Sequence, residues 1–121
     1  MFTREKTYCL YLAYYPLREE GISAKWTHAA LLLTPPSPSL KTEDSFRYHV
    51  KIKAGEGWWE YECVRTKAKT QKLASLVLIA DGIPKDRKEE IDRIVEKQQI
   101  KQHDIQWNCY DWAIGALTVS P

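Results

Sequence analysis

The sequence has few cysteines, few glycines and no long apolar run, and each shortage excludes a class of protein. Three cysteines in 121 residues is an odd number at wide spacings, which predicts neither a disulfide framework nor a paired-cysteine metal clip. The five glycines form no phosphate-binding loop. No apolar stretch approaches the roughly 20 residues that a membrane helix needs. We therefore predict no metal, no cofactor, no membrane span and a reducing, cytoplasmic location.

An excess of charge of one sign is also missing. The 18 basic and 16 acidic residues leave a net charge of +2, and the basic residues form no stripe with interleaved aromatics. A nucleic-acid partner is therefore not predicted. The first six residues carry both signs, which does not fit a secretory signal peptide. A chain of this length forms one domain, residues 1–121, around a single core.

Aromatic and β-branched residues are abundant, and they occur in short runs that predict five strands. The predicted strands are residues 7–15, 26–34, 46–53, 58–65 and 73–80, with a proline-rich surface loop at 35–45. Two glycines in residues 54–57 predict an antiparallel hairpin turn, and residues 81–84 predict a second turn. The fifth run is continuously apolar, which indicates a central strand. Helices are predicted over residues 85–98 and from residue 109, which gives an α+β domain with a mostly antiparallel sheet and two helices.

One short stretch, residues 107–112, carries the most suggestive chemistry of the chain. Asn108 is a favourable helix N-cap, and apolar side chains at helical spacing follow it, so Cys109 is predicted in the first helical turn. Backbone N–H groups and the helix dipole favour a thiolate there, and we expect a lowered pKa and a nucleophilic cysteine. Cys9 and Cys63 fall within predicted strands, where packing as small hydrophobic side chains explains both.

A nucleophilic cysteine needs a base, and all three histidines precede it in the chain. His28 belongs to the second strand and His49 to the third, and either one alone is explained as a satisfied or surface residue. Together with Cys109 they supply a nucleophile, a base and a group that orients the base. We expect both rings to face the cysteine helix. His103, beside Asp104, is an alternative base, although a surface position also explains it.

The order of these residues resembles the circularly permuted papain-like thiol enzymes, the branch with the lecithin retinol acyltransferase-like and NlpC-related proteins. The matching blocks are residues 26–32, 47–50 and 108–112. The chain departs from the pattern where the proline loop widens the gap between the histidines, and where Thr34 and Pro35 replace an expected glycine. The whole chain is also similar to a family of small fungal proteins with the same blocks and a W-x-Y-E strand, here residues 59–62.

The resemblance implies a papain-like core in which Cys109 is the nucleophile, His28 the general base and His49 the orienting group. It implies an amidase, a peptidase or an acyltransferase that acts on a small-molecule or peptide acyl substrate. No membrane helix follows the cysteine helix, which argues against a lipid acyltransferase. Two alternatives stay open: a non-catalytic binding protein on the same fold, and a biosynthetic enzyme that uses the cysteine and histidines for a step other than hydrolysis.

Overall fold

Five strands and two helices make up the part of the chain that the structure describes. The computed structural model describes residues 7–16, 27–52, 59–69, 75–100 and 109–119. The strands are β1 (Thr7–Pro16), β2 (Thr27–Thr34), β3 (Ser45–Ile52), β4 (Trp59–Thr66) and β5 (Ser75–Pro84). A 3-10 turn (Lys85–Arg87) leads into α1 (Lys88–Glu96), and α2 spans Cys109–Val119. The predicted α+β class is confirmed.

The strands form one antiparallel sheet in the order β4-β3-β2-β1-β5. The first three strands each pair with the next one along the chain, as short antiparallel connections favour, whereas β5 returns to pair with β1. The predicted β3–β4 hairpin is confirmed by a register that runs from Ser45↔Thr66 to Ile52↔Trp59. Its predicted glycine turn, residues 54–57, lies outside the described residues.

The strand β5 lies at an edge of the sheet, so the prediction of a central strand is wrong. Its side chains Val77, Leu78 and Ile79 are 47%, 52% and 43% exposed. The predicted turn at 81–84 is instead an irregular continuation of β5, in which Gly82 adopts a φ of 62° and the register with β1 shifts. The prediction failed because an apolar run shows which residues a strand contains but not how many strands pair with it.

Both helices pack on the same face of the sheet. The α2 residues Trp112, Ala113 and Ala116 are fully buried, and their spacing along the helix forms one apolar stripe. They share a single core with Leu31, Val50 and other side chains of β1, β2 and β3. Within the described residues, neither helix has the length and apolar character of a membrane span.

The helix α1 is held to the sheet by a polar contact at the margin of this core. The Tyr48 hydroxyl of β3 donates a hydrogen bond to the Asp92 carboxylate of α1. Lys88 forms an ion pair with the same carboxylate, at 2.8 Å, and lies 4.1 Å above the ring of Phe46. A second, smaller cluster occupies the opposite face of the sheet and includes Ala13, Tyr15, Ala30, Leu32 and Ala68.

The packing of α2 predicts a large loss of stability when its central side chain is removed. Trp112→Ala deletes a fully buried indole, so we expect the free energy of unfolding to fall by about 3–5 kcal/mol. Urea unfolding followed by circular dichroism measures the change. Tyr110→Ala is the matched control, because Tyr110 is 44% exposed on the same helix and should cost about 1 kcal/mol or less. Equal costs for the two variants would contradict the placement of α2.

Candidate active site

Cys109 is the first residue of α2, as predicted. Its side chain is 6% exposed, and its Sγ accepts a hydrogen bond from the backbone N–H of Ala29 in β2, with a nitrogen–sulfur distance of 3.4 Å. Because an amide nitrogen lies only about 2.4 Å from the preceding Cα, Sγ is within about 6 Å of the Cα of His28. The helix start therefore meets the strand that carries the proposed base. The predicted N-cap, Asn108, lies outside the described residues.

The sheet opens between β2 and β3 next to this contact. The pairs between the two strands end at Leu31↔Tyr48 within the described residues, whereas β2 stays paired with β1 down to its first residue. Within the described part of β3, Ala29 therefore has no paired residue, and its N–H is available to the sulfur. The thiol lies at a gap between the two strands that carry His28 and His49.

A chain of hydrogen bonds crosses this gap and continues to β4. His28 Nε2 lies 2.7 Å from His49 Nδ1, and the two rings meet edge to face with centroids 4.9 Å apart. His49 Nε2 lies 2.9 Å from Glu62 Oε1, and Glu62 Oε2 lies 2.7 Å from Lys51 Nζ. The two histidines are thus on adjacent strands and in direct contact.

The charged end of this chain decides which nitrogen of each histidine carries a proton. The hydrogen bonds from Lys51, then from His49, hold the pKa of the Glu62 carboxyl below its usual range, so Glu62 is an ionised acceptor. His49 therefore donates from Nε2 and, when neutral, accepts at Nδ1. His28 must then donate from Nε2 to His49. The lone pair of His28 remains on Nδ1, which is the basic nitrogen of the pair.

His28 is neutral at pH 7, and burial favours the neutral form of His49 as well. Burial first, and then the neighbouring His49 and Arg47, lower the pKa of His28 to about 4. Burial also lowers the pKa of His49, although its hydrogen bond to Glu62 opposes the shift. A neutral imidazole is the state that a general base requires before it accepts a proton.

The pKa of the Cys109 thiol is raised, so the prediction of a lowered value is wrong. Burial is the largest cause, and it is opposed by the backbone N–H groups of Ala29, Tyr110 and Cys109 itself. The amides at the helix start do lower the pKa of the thiol, but the loss of hydration of a thiolate outweighs them. The resting site is a neutral thiol near neutral imidazoles, not a thiolate–imidazolium pair.

The histidine rings lie on the face of the sheet opposite α2, and the prediction that they face this helix is wrong. Ala29 belongs to the core under α2, and side chains alternate along a strand, so its neighbour His28 points to the other face. There the His28 ring lies 6.2 Å from the ring of Tyr15, and the Arg47 guanidinium lies 5.5 Å above Tyr15. The thiol and the imidazoles thus approach the strand gap from its two sides.

Sequence reasoning missed Glu62 as part of this site. The sequence could have predicted it, because the turn expected at residues 54–57 sets His49 opposite Glu62. The structure has the same pairing. The alternative base, His103, lies outside the described residues. Cys9 is buried in β1, whereas Cys63 is exposed on β4, so the prediction that Cys63 packs as a small hydrophobic side chain is wrong. Neither takes part in the hydrogen-bond chain.

Because the pKa of His28 is lowered, the protein should lose stability as the pH falls from 6.5 to about 4. Between an unfolded value of 6.5 and a folded value of about 4, the unfolded chain binds more protons. The free energy of unfolding should therefore fall as the pH drops through this window, by roughly 2–3 kcal/mol for His28 alone, and show no further loss from this group below it. Urea unfolding between pH 4 and 7 measures the slope. His28→Gln should flatten it, and an unchanged slope would contradict a buried neutral His28.

The fold and the site define an α+β protein with a buried cysteine at a helix start and a His–His–Glu chain on the adjoining strands. The chain belongs to the family described as a family of unknown function (DUF6914), which it matches over residues 8–120. It matches no curated protein and no solved structure. The papain-like resemblance stays a prediction. Among the described residues, no group of three or more His, Cys, Asp or Glu side chains is placed to hold a metal ion.

Proposed function

We propose that the protein is a cysteine-dependent acyl-transfer enzyme, an amidase, peptidase or acyltransferase with a papain-like core. Cys109 is the nucleophile, His28 the general base and His49 the group that orients the base. The observation that supports the proposal is the hydrogen-bond chain from Glu62 through His49 to His28, next to the strand amide that contacts the Cys109 sulfur. Three free cysteines fit a reducing, cytoplasmic location.

The proposed reaction begins when His28 Nδ1 takes the proton of the Cys109 thiol across the gap between β2 and β3, as Sγ attacks the acyl carbonyl carbon. The π electrons of the carbonyl move to its oxygen, and His28 becomes an imidazolium. Its Nε2–H still donates to His49, which in turn donates to the Glu62 carboxylate, so the new positive charge is stabilised along the chain. The tetrahedral intermediate then expels the leaving group, which takes the proton from His28 and leaves a thioester on Cys109.

The second half of the reaction regenerates the thiol. His28 deprotonates water or another acceptor, which attacks the thioester carbon and releases the sulfur. The Cys109 sulfur then recovers the proton from His28. Water as the acceptor gives hydrolysis, and an amine or alcohol gives acyl transfer. The backbone N–H of Cys109, at the start of α2, is the proposed donor to the carbonyl oxygen, because first-turn N–H groups have no partner within the helix.

A mechanism-based probe tests this proposal. An acyl thioester or a vinyl sulfone should form an adduct on Cys109, detected by intact mass and peptide mapping. Iodoacetamide at neutral pH should instead label Cys63 first, because Cys63 is exposed whereas Cys109 is buried; burial raises the pKa of both thiols, so exposure decides. Cys63→Ser is the matched control and should keep the probe adduct. The proposal fails if Cys109 stays unmodified while a known thiol enzyme reacts under the same conditions.

A non-catalytic binding protein on the same fold is the second candidate, and one observation favours it. Cys109 is only 6% exposed, as a cysteine that packs as a small hydrophobic side chain would be. The hydrogen-bond chain would then stabilise the sheet opening and carry out no proton transfer. In that case Cys109 never forms a probe adduct, and Cys109→Ala changes stability but no measurable activity.

A further inference from the structure

The two edge strands of the sheet, β4 and β5, differ in the charged residues that they carry. The β4 edge carries the charged residues Glu60, Glu62 and Arg65. The β5 edge has neither charge nor proline from residue 75 to residue 80. Natural sheets usually protect an edge strand with charges, because its unpaired backbone groups can pair with another chain. The register of β5 with β1 shifts at Ile79, but β5 stays a strand from Ser75 to Pro84, and its pairs with β1 are regular over residues 75–78.

The exposed side chains of β5 point to both faces of the sheet. Val77 stands opposite Leu12, which belongs to the core under the helices, whereas Leu78 stands opposite Tyr11, which packs on the other cluster. A ligand or a helix on one face would cover only one of them. A strand added beside β5 would flank both faces at once and would also satisfy the edge backbone groups.

The apolar edge continues into a groove between β5, α1 and α2. This groove has a volume of about 510 Å³, and its apolar lining includes Leu10, Leu31 and Ile79. Its charged lining residues carry both signs: Asp81, Arg87 and Glu90. A partner that approaches along β5 therefore meets an apolar strip bordered by two acidic residues and one basic residue.

We propose that the protein forms a two-fold homodimer by antiparallel pairing of β5 with β5 of a second copy. Antiparallel pairing about an axis near Leu78 is self-complementary, because apolar residues meet apolar residues and Ser75 falls opposite Asp81. No like charges face each other along the strip. Arg87 is paired with Glu90 of its own chain at 3.2 Å, so the charges beside the groove are partly compensated within each copy. The two sheets become one continuous sheet, which buries the exposed edge of each.

The oligomeric state of the full chain tests this proposal. Sedimentation velocity and light scattering over a wide concentration range should show a reversible dimer. Leu78→Lys places two like charges at the axis and should raise the dimer dissociation constant about 100-fold or more. Leu40→Lys is the matched control, because Leu40 is 70% exposed in the proline-rich loop and its replacement should leave the dimer intact. Circular dichroism checks that each variant is folded.

A cross-link gives a second measurement that does not depend on the lysine variant. In a Cys63→Ser background, Leu78→Cys should form a disulfide-linked dimer under mild oxidation, whereas Leu40→Cys should not. Three results would overturn the proposal: a wild type that is monomeric at every concentration, a dimer that folded Leu78→Lys leaves unchanged, or equal cross-linking of the two cysteine variants.

Discussion

Replacing Cys109 with alanine should abolish capture of an acyl probe and lower acyl-transfer activity by about 10³-fold or more, while the domain stays folded. The sulfur forms the covalent intermediate, and no other described group near the strand gap can replace it. The cost to stability should be modest, about 1 kcal/mol, because alanine keeps most of the packing of this small side chain. Intact-mass analysis and thermal unfolding of the same sample measure both effects.

Cys63→Ala is the matched control for this experiment. It removes a thiol from a neighbouring strand without touching the hydrogen-bond chain, so activity and probe capture should stay at the wild-type level. Turnover that survives Cys109→Ala would show that the nucleophile is misassigned. Loss of the fold in Cys109→Ala would leave the probe result uninformative, and Cys109→Ser, which is closer in size, then decides the question through the same mass measurement.

His28→Ala should cost nearly as much activity as Cys109→Ala, since a base and its nucleophile act as one unit. The double variant should be no worse than either single variant, because their losses do not add. His49→Ala should lower kcat less, by about 10–100-fold, since His49 only fixes the proton on His28 Nε2. Turnover of an acyl substrate compares all four proteins, and single-turnover rates of thioester formation compare His28→Ala and His49→Ala, which keep the cysteine.

Glu62→Gln separates a working hydrogen-bond chain from a merely structural one. The glutamine side chain keeps the size of Glu62 but removes the charge that fixes the tautomer of His49. We expect a lower rate and a changed pH profile of thioester formation with an unchanged melting temperature. Activity that is insensitive to both His49→Ala and Glu62→Gln would show that His28 acts without the chain.

The sequence predicted the parts of the site that depend on local rules. Helix-start chemistry placed Cys109 at the first residue of α2, and strand patterns placed His28 and His49 on adjacent strands. The position of the predicted hairpin turn also implied that His49 pairs with Glu62. These features follow from short stretches of sequence, in which capping, alternation and turn geometry are decided within a few residues.

Features that depend on distant packing could not be predicted in the same way. The raised pKa of Cys109 comes from burial under groups contributed by other elements, which no local pattern reports. The edge position of β5 depends on the order of strands in the sheet, and its apolar run is equally compatible with a centre and an edge. The face on which His28 lies follows from which side of the sheet the helices cover.

The hydrogen bond from Ala29 to the Cys109 sulfur has a consequence for spectroscopy. Sulfur is a weak acceptor, so the Ala29 amide hydrogen should exchange with solvent faster than the amides of the fully paired part of β2. Any chemistry at the sulfur, such as acylation, oxidation or loss of the proton, changes that acceptor directly. The amide resonance of Ala29 is therefore an internal reporter of the state of the thiol, and it can be followed before any substrate is known.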